Sequence, residues 1–286
     1  MADPAAAARW RDREKAGRRG VGTATLALVL AGASLRAQMQ YRANFVILVV
    51  MGLVYQLTGF VFLWVILSRF EAIAGWSLGE VAFLYGLRLL AHGVYGLLFN
   101  AIQRISRMTR RGELDRYLVR PLPLLVQVLV ERVHVAGIGD LIGGGLLFLA
   151  AQALVGIDWS PPALAYLALA VAGGCLVEAA LRLAINSLAF RFLELGSLSF
   201  LVDNLIGNFG NYPLRIYGAA GQFLLTFVLP VAFVAYFPAT VLLGRVGELS
   251  VHPALAYGAP LVGILLFLLA HRLWRGEIRH YQSAGH

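Results

Sequence analysis

Long apolar blocks separated by short polar stretches set the pattern of this chain from residue 45 onward. The blocks cover about 45–67, 78–102, 123–155, 163–190, 223–243 and 254–274, and each reaches the roughly 20 residues a helix needs to cross a bilayer. Lipid offers the backbone no hydrogen bonds, so spanning elements are helices or closed barrels. Barrel strands are short and alternate apolar with polar, whereas these blocks are apolar all round. The pattern predicts an all-α polytopic membrane protein with six transmembrane helices.

The interruptions carry further expectations. Residues 24–42 mix Leu26, Leu28, Leu30 and Leu35 with Arg36, Gln38, Gln40 and Arg42, which predicts an amphipathic helix in the membrane interface. The third block is too long for one crossing and is broken early by Glu131, Arg132 and His134, so it tilts or stands partly in the interface. Pro230 removes a backbone hydrogen bond inside the fifth block and predicts a kink there, with Pro238 at the outer end. Residues 191–217 are mixed. Phe192, Leu195, Leu198, Phe200, Leu201 and Leu205 are interrupted by Asp203, Asn204, Asn208 and Asn211, which predicts an interfacial or partly inserted helix ending at Tyr212-Pro213.

Charge sets the orientation. The net charge is +9, carried by arginine apart from Lys15. Basic clusters sit at 9–19 (Arg9, Arg11, Arg13, Lys15, Arg18, Arg19), 104–120 and 272–279, while the opposite loops contribute only Arg69 and Arg245. Six crossings put all three clusters on one side, so cytoplasmic loops collecting arginine imply that both termini are cytoplasmic. The chain divides into a basic tail (1–22), a transmembrane domain (23–275) and a short C-terminal tail (276–286). The apolar run after Arg18-Arg19, ending Ala31-Gly32-Ala33-Ser34, looks like a signal peptide but reads as uncleaved, because the chain keeps inserting afterwards. In a membrane protein the basic balance needs no nucleic acid, and no nucleic-acid motif is present.

Motifs for chemistry are few. No G-x-x-x-x-G-K-[ST] occurs, so this chain binds no ATP alone. Gly137, Gly139 and Gly143-Gly144-Gly145 lie inside an apolar helix, where small residues four apart serve close helix packing. Glu131 and His134 form a lone Glu-x-x-His, short of a di-iron set, and the single Cys175 excludes a multi-cysteine metal site. No nucleophile–base motif indicates an enzyme. Charges inside a bilayer are costly and mark either helix-locking pairs or pathways. Glu178, Arg182 and Asn186 share one helix face at four-residue spacing, Arg88 and His92 repeat the spacing, and Asp140 sits in the third block. Their alternatives are structural pairing or a polar stripe lining a pathway or gate. In the central loop, Arg107, Arg110, Arg111, Gly112, Glu113, Leu114, Asp115, Arg116 and Tyr117 mix both charges with apolar residues, which suits a short amphipathic helix presenting a surface to a partner.

Four strings carry a resemblance that covers nearly the whole chain from about residue 26. They are Ser34–Phe45, Gly112–Pro121, Asn211-Tyr212-Pro213-Leu214, and Leu229–Phe233 running to Tyr236–Ala239. In this order they resemble the membrane subunit of type 2 ABC exporters, the ABC-2 permease superfamily of bacteria. The resemblance implies a connecting helix at 24–42 and a coupling helix at 107–118 docking on a separate ATPase. It also implies two ATPase subunits holding ATP and Mg, a second permease subunit (identical or paralogous), and an outer cap around Pro238 to Pro253. It implies a multi-pass protein of the bacterial inner membrane exporting a hydrophobic or amphipathic compound: a drug, as in multidrug efflux, a lipid or a secondary metabolite. The competing reading is an ATP-independent secondary transporter or channel using Arg88, His92, Asp140, Glu178 and Arg182. That reading predicts inverted repeats or broken helix pairs, and the sequence displays neither.

Overall fold

A computed structural model describes residues 23–67, 69, 72–120, 122–131, 134–192 and 196–281. The basic cluster at 9–19, Glu71, Pro121, Arg132, Leu195 and the last five residues lie outside the described residues. The described chain is helical, with one isolated Ile73–Trp76 bridge and no strand. Its elements are α1 (Thr23–Met39), α2 (Arg42–Leu67), α3 (Leu78–Phe99), α4 (Ile105–Arg110) and α5 (Asp115–Leu118). They continue with α6 (Leu124–Glu131), α7 (Ala136–Gln152), α8 (Pro161–Ser187), α9 (Gly196–Phe209), α10 (Ala219–Phe223), α11 (Tyr236–Leu242), α12 (Ala254–Tyr257) and α13 (Ala259–Glu277).

Among the described residues, three helices are long and apolar enough to cross a membrane: Arg42–Val61, Leu78–Arg110 and Pro161–Phe190. Two bent pairs, α6 with α7 and Ala219–Val228 with Val231–Leu242, raise the count to five if each is one span. The long helices start where the sequence allows. Ser77 accepts from the Glu80 amide while Glu80 reaches back to the Ser77 amide, a reciprocal cap for α3. Ser160 caps α8 ahead of its N-terminal prolines.

The glycines of α7 pack as their spacing predicts. A Cβ on Gly139 would lie 2.1 Å from the Val49 carbonyl oxygen of α2, and one on Gly144 would lie 2.7 Å from Leu89 Cβ of α3. Hydrogen therefore lets α7 wedge between two helix backbones. Gly263 of α13 meets Gly173 of α8 as closely.

Contacts define two ends of the bundle. At one, Arg191 after α8 pairs with Glu277 of α13, and Glu131 of α6 pairs with Arg104 and Arg116 and receives Ser34 of α1 on its carbonyl. At the other, Arg245 pairs with Glu80 and Glu248, and Glu248 with Arg215. The central arginine segment and the C-terminal end of α13 thus share the first end, called here the basic end.

Three elements need more detail than the sequence offered. The third block is two helices, α6 and α7, with axes 77° apart, and its first turns, in α6, stand at the basic end. The fifth block is bent more sharply than a kink. Ala219–Val228 and Val231–Leu242 are bent by 75°, and both outer ends lie at the end opposite the basic one, where Ser250 donates to Gln222 and Arg245 meets Glu80. The bend lies inside the bundle, with the Val234 carbonyl 2.5 Å from where a Cβ on Gly174 of α8 would stand. Pro230 has no N–H to continue the helix and sits at ψ 46°, so the chain turns sharply there.

Residues 196–216, in contrast, join the two ends. Asp203 pairs with Arg182, a Cβ on Gly210 would stand 3.2 Å from Arg88 Cδ, and Arg215 reaches Glu248. Asn204 and Asn211 each donate to a carbonyl four residues back in their own segment.

Candidate functional site

Two groups of predicted residues form assemblies, one in the bundle and one at its basic end. In the bundle, Glu178 is fully buried and Arg182 nearly so. Four-residue spacing puts them on one face of α8, and Arg182 Nη1 donates to Glu178 Oε2 at 2.7 Å. Arg182 Nε donates to Asp203 Oδ1 of α9 at 2.8 Å, and its guanidinium lies 4.3 Å from the Tyr95 ring centre of α3. His92 Nδ1 stands 2.8 Å from the same Glu178 oxygen. One arginine thereby ties three helices, and the buried Glu178–Arg182 pair is answered inside the fold.

The other predicted intramembrane residues are placed apart. Asp140 accepts from Gln56 Nε2 of α2 at 2.9 Å, at the α2–α7 contact rather than with Glu178. Asn186 donates to the Arg182 carbonyl of its own helix. Arg88 is buried beside the Tyr85 ring at 5.5 Å, and among the described residues its Nε has no hydrogen-bond partner. Sequence reasoning missed Asp203 and Tyr95 as members of the cluster. An acidic residue interrupting an apolar run was the available signal for Asp203, since a buried arginine requires a second carboxylate; nothing in the sequence marked Tyr95.

At the basic end, the segment expected as one helix over 107–118 is two short helices, α4 and α5, joined at Gly112. Gly112 has φ +66°, and the Glu113 amide bonds back to the Met108 carbonyl, closing α4 with a left-handed glycine cap. Ile105, Met108, Leu114 and Tyr117 are buried, so the apolar side anchors the segment to the bundle. Arg107, Arg110, Arg111 and Arg116 are exposed. Arg116 donates to the Tyr117 hydroxyl at 2.6 Å and to Glu131 at 2.7 Å. Arg111 meets Glu113 only loosely, at 3.8 Å. Burial pushes the Tyr117 hydroxyl up to about 12, with the Glu131 carboxylate adding to the rise. Burial also raises the Tyr281 hydroxyl, as does the Asp115 carboxylate, which links the C-terminal end to this segment. Glu131, which the sequence offered only as part of a lone Glu-x-x-His, pairs with Arg104 and Arg116.

Inside the bundle, Pro230 forms the bend described above, and Pro238 is buried in α11. Among the described residues, no group of three or more His, Cys, Asp or Glu side chains could hold a metal ion.

Residues 53–285 match the family described as ABC-2 family transporter protein. The chain belongs to the ABC-2 transporter family. No curated protein and no solved structure matches it. The match begins inside α2 and spans both assemblies, so the arginine segment, the ion cluster and the bent 219–242 pair all lie within the ABC-2 region. An ABC-2 protein is a membrane component of transport and not itself catalytic.

Proposed function

We propose that this chain is the permease subunit of an ATP-driven exporter in a bacterial inner membrane, pairing with a second permease subunit and with two ATPase subunits that hold ATP and Mg. The carrying observation is the segment 105–118, whose buried Ile105, Met108, Leu114 and Tyr117 leave Arg107, Arg110 and Arg111 facing outward. Exposed cations on an anchored element suit docking to a separate acidic surface. In this reading the basic end is cytoplasmic and α2, α3, α7, α8, 196–216 and α13 make six crossings, with 219–242 re-entering from outside as part of the outer cap. The apolar faces suit a hydrophobic or amphipathic substrate. ATPase closure would push on 105–118 and be carried to α9 through Arg182.

Copurification tests the reading. The full chain, coexpressed with the Walker-motif ATPases of its host, is expected to retain one of them, and Arg107→Glu with Arg111→Glu to release it. Wild-type chain that carries substrate in liposomes with no ATPase present would defeat the proposal. It would favour the second reading, an ATP-independent transporter, which draws support from the ion cluster that joins α3, α8 and α9 around the buried Glu178 and Arg182.

A further inference from the structure

The end of the bundle opposite the arginine segment holds a cavity of about 880 Å³ that the assemblies above do not use. Its walls come from the first turn of α3, the α7–α8 connection, the first turn and a half of α8, the end of α11, and Tyr257 of α12. The volume falls in the range of small-molecule pockets, about 300–1,000 Å³.

Three properties of the lining select the occupant. First, its charge is of one sign. Glu80 and Asp158 line the cavity, and no Lys, Arg or His does. Arg245, the nearest candidate to neutralise them, is bound by Glu80, Glu248 and the Gly75 carbonyl and lies over the Trp76 ring. Glu80 is answered in that network; Asp158 is exposed and, among the described residues, takes part in no side-chain hydrogen bond or ion pair. Second, the wall is aromatic. Tyr166 donates its hydroxyl to the Ala256 carbonyl at 2.6 Å, which fixes its ring, and the neighbouring Tyr257 is exposed. Third, Leu154 and Leu242 give the remaining wall an apolar surface.

An uncompensated carboxylate, phenol rings and an aliphatic wall in one cavity are complementary to a cation carried on an apolar body. The cation gains from the carboxylate and from the ring faces, while the body leaves water. A small inorganic ion would leave most of this volume and its apolar wall unused. We propose that this cavity binds an organic ammonium group on an apolar body, with Asp158 and Tyr257 as its recognition residues. The source is either the headgroup of an aminolipid or a soluble cationic amphiphile. The inference is independent of the coupling role assigned to 105–118.

The test uses the full chain in dodecyl maltoside, an uncharged detergent, with the fluorescent quaternary ammonium berberine as probe and N-phenyl-1-naphthylamine as its uncharged control. Asp158→Asn is expected to weaken berberine binding about fivefold. Tyr257→Ala should weaken it about threefold. Both variants leave the uncharged probe unaffected, and both sites are exposed, so elution volume and melting temperature stay at wild type. Displacement of berberine by phosphatidylethanolamine but not by phosphatidylglycerol assigns the ammonium to a lipid headgroup. No displacement by either lipid assigns it to a soluble amphiphile. Equal berberine affinity in wild type and both variants overturns the proposal, as does equal displacement by both lipids, which would mean that the cavity takes acyl chains without reading the ammonium.

Discussion

The ion cluster inside the bundle and the arginine segment at its basic end carry similar charges and differ in what those charges touch. Arg182 donates to Glu178 and Asp203 and lies against Tyr95, all from this chain. Arg107 and Arg111 are exposed, and among the described residues Arg111 has only a distant partner in Glu113. A cation already answered inside the fold holds helices together and can engage something else only by letting go. A cation left outward on an anchored element is available to another molecule. Exposure and the saturation of partners, more than charge count, separate a lock from a docking surface.

The comparison breaks most directly at Glu178. Glu178→Ala leaves Arg182 buried without its helix partner and is expected to cost about 3–5 kcal/mol, read as a fall in melting temperature of the purified protein. Glu178→Met with Arg182→Met removes both charges and should recover most of that loss. A single variant that melts like wild type would show that the cluster is not a lock. Next in size is the docking side. Arg107→Glu with Arg111→Glu is expected to weaken ATPase association about tenfold or more. Its melting temperature should stay near wild type, as for exposed substitutions worth about 0.5 kcal/mol or less. Smaller still, Gly112→Ala puts a Cβ on a left-handed residue (φ +66°) and should cost about 1 kcal/mol. Because that strain falls at the joint between α4 and α5, ATPase affinity should drop with it; unchanged affinity would mean that the joint does not shape the surface.

Much of this was legible in the chain. Long apolar blocks named the helical membrane class, and the four-residue spacing of Glu178 and Arg182 named their pair. Gly139 and Gly143 named a close helix contact. Two things were not legible. Apolar composition does not show where a helix bends or what it packs on, so the 75° bend of 219–242 at Pro230 and the packing of 196–216 along α8 were not readable from 223–243 and 191–217. The deciding interactions, Asp203 with Arg182 and Arg245 with Glu80, join residues 21 and 165 positions apart and leave no periodic trace. The same limit hid Glu131, whose partners Arg104 and Arg116 depend on how α6 meets the arginine segment.

The finest test asks whether Tyr117 belongs to the anchor or to the surface. Its ring is buried, while its hydroxyl receives Arg116, an exposed residue that also reaches Glu131. Tyr117→Phe keeps the ring and removes the oxygen, and Arg116 retains Glu131, so the loss at neutral pH should be about 0.5–1 kcal/mol or less. Its sharper signature is in pH. The hydroxyl titrates near 12 in the folded chain against an ordinary value of 10.0, because burial and Glu131 disfavour the phenolate. The unfolded chain therefore releases this proton first as pH rises. Stability from keeping Tyr117 neutral is complete below pH 10 and drains away between about 10 and 12. Subtracting the Tyr117→Phe stability profile from that of wild type cancels the other tyrosines, and the difference should be flat to pH 10 and fall above it. A flat difference throughout would mean that the hydroxyl is as open to water folded as unfolded, and would move Tyr117 from the anchor to the docking surface.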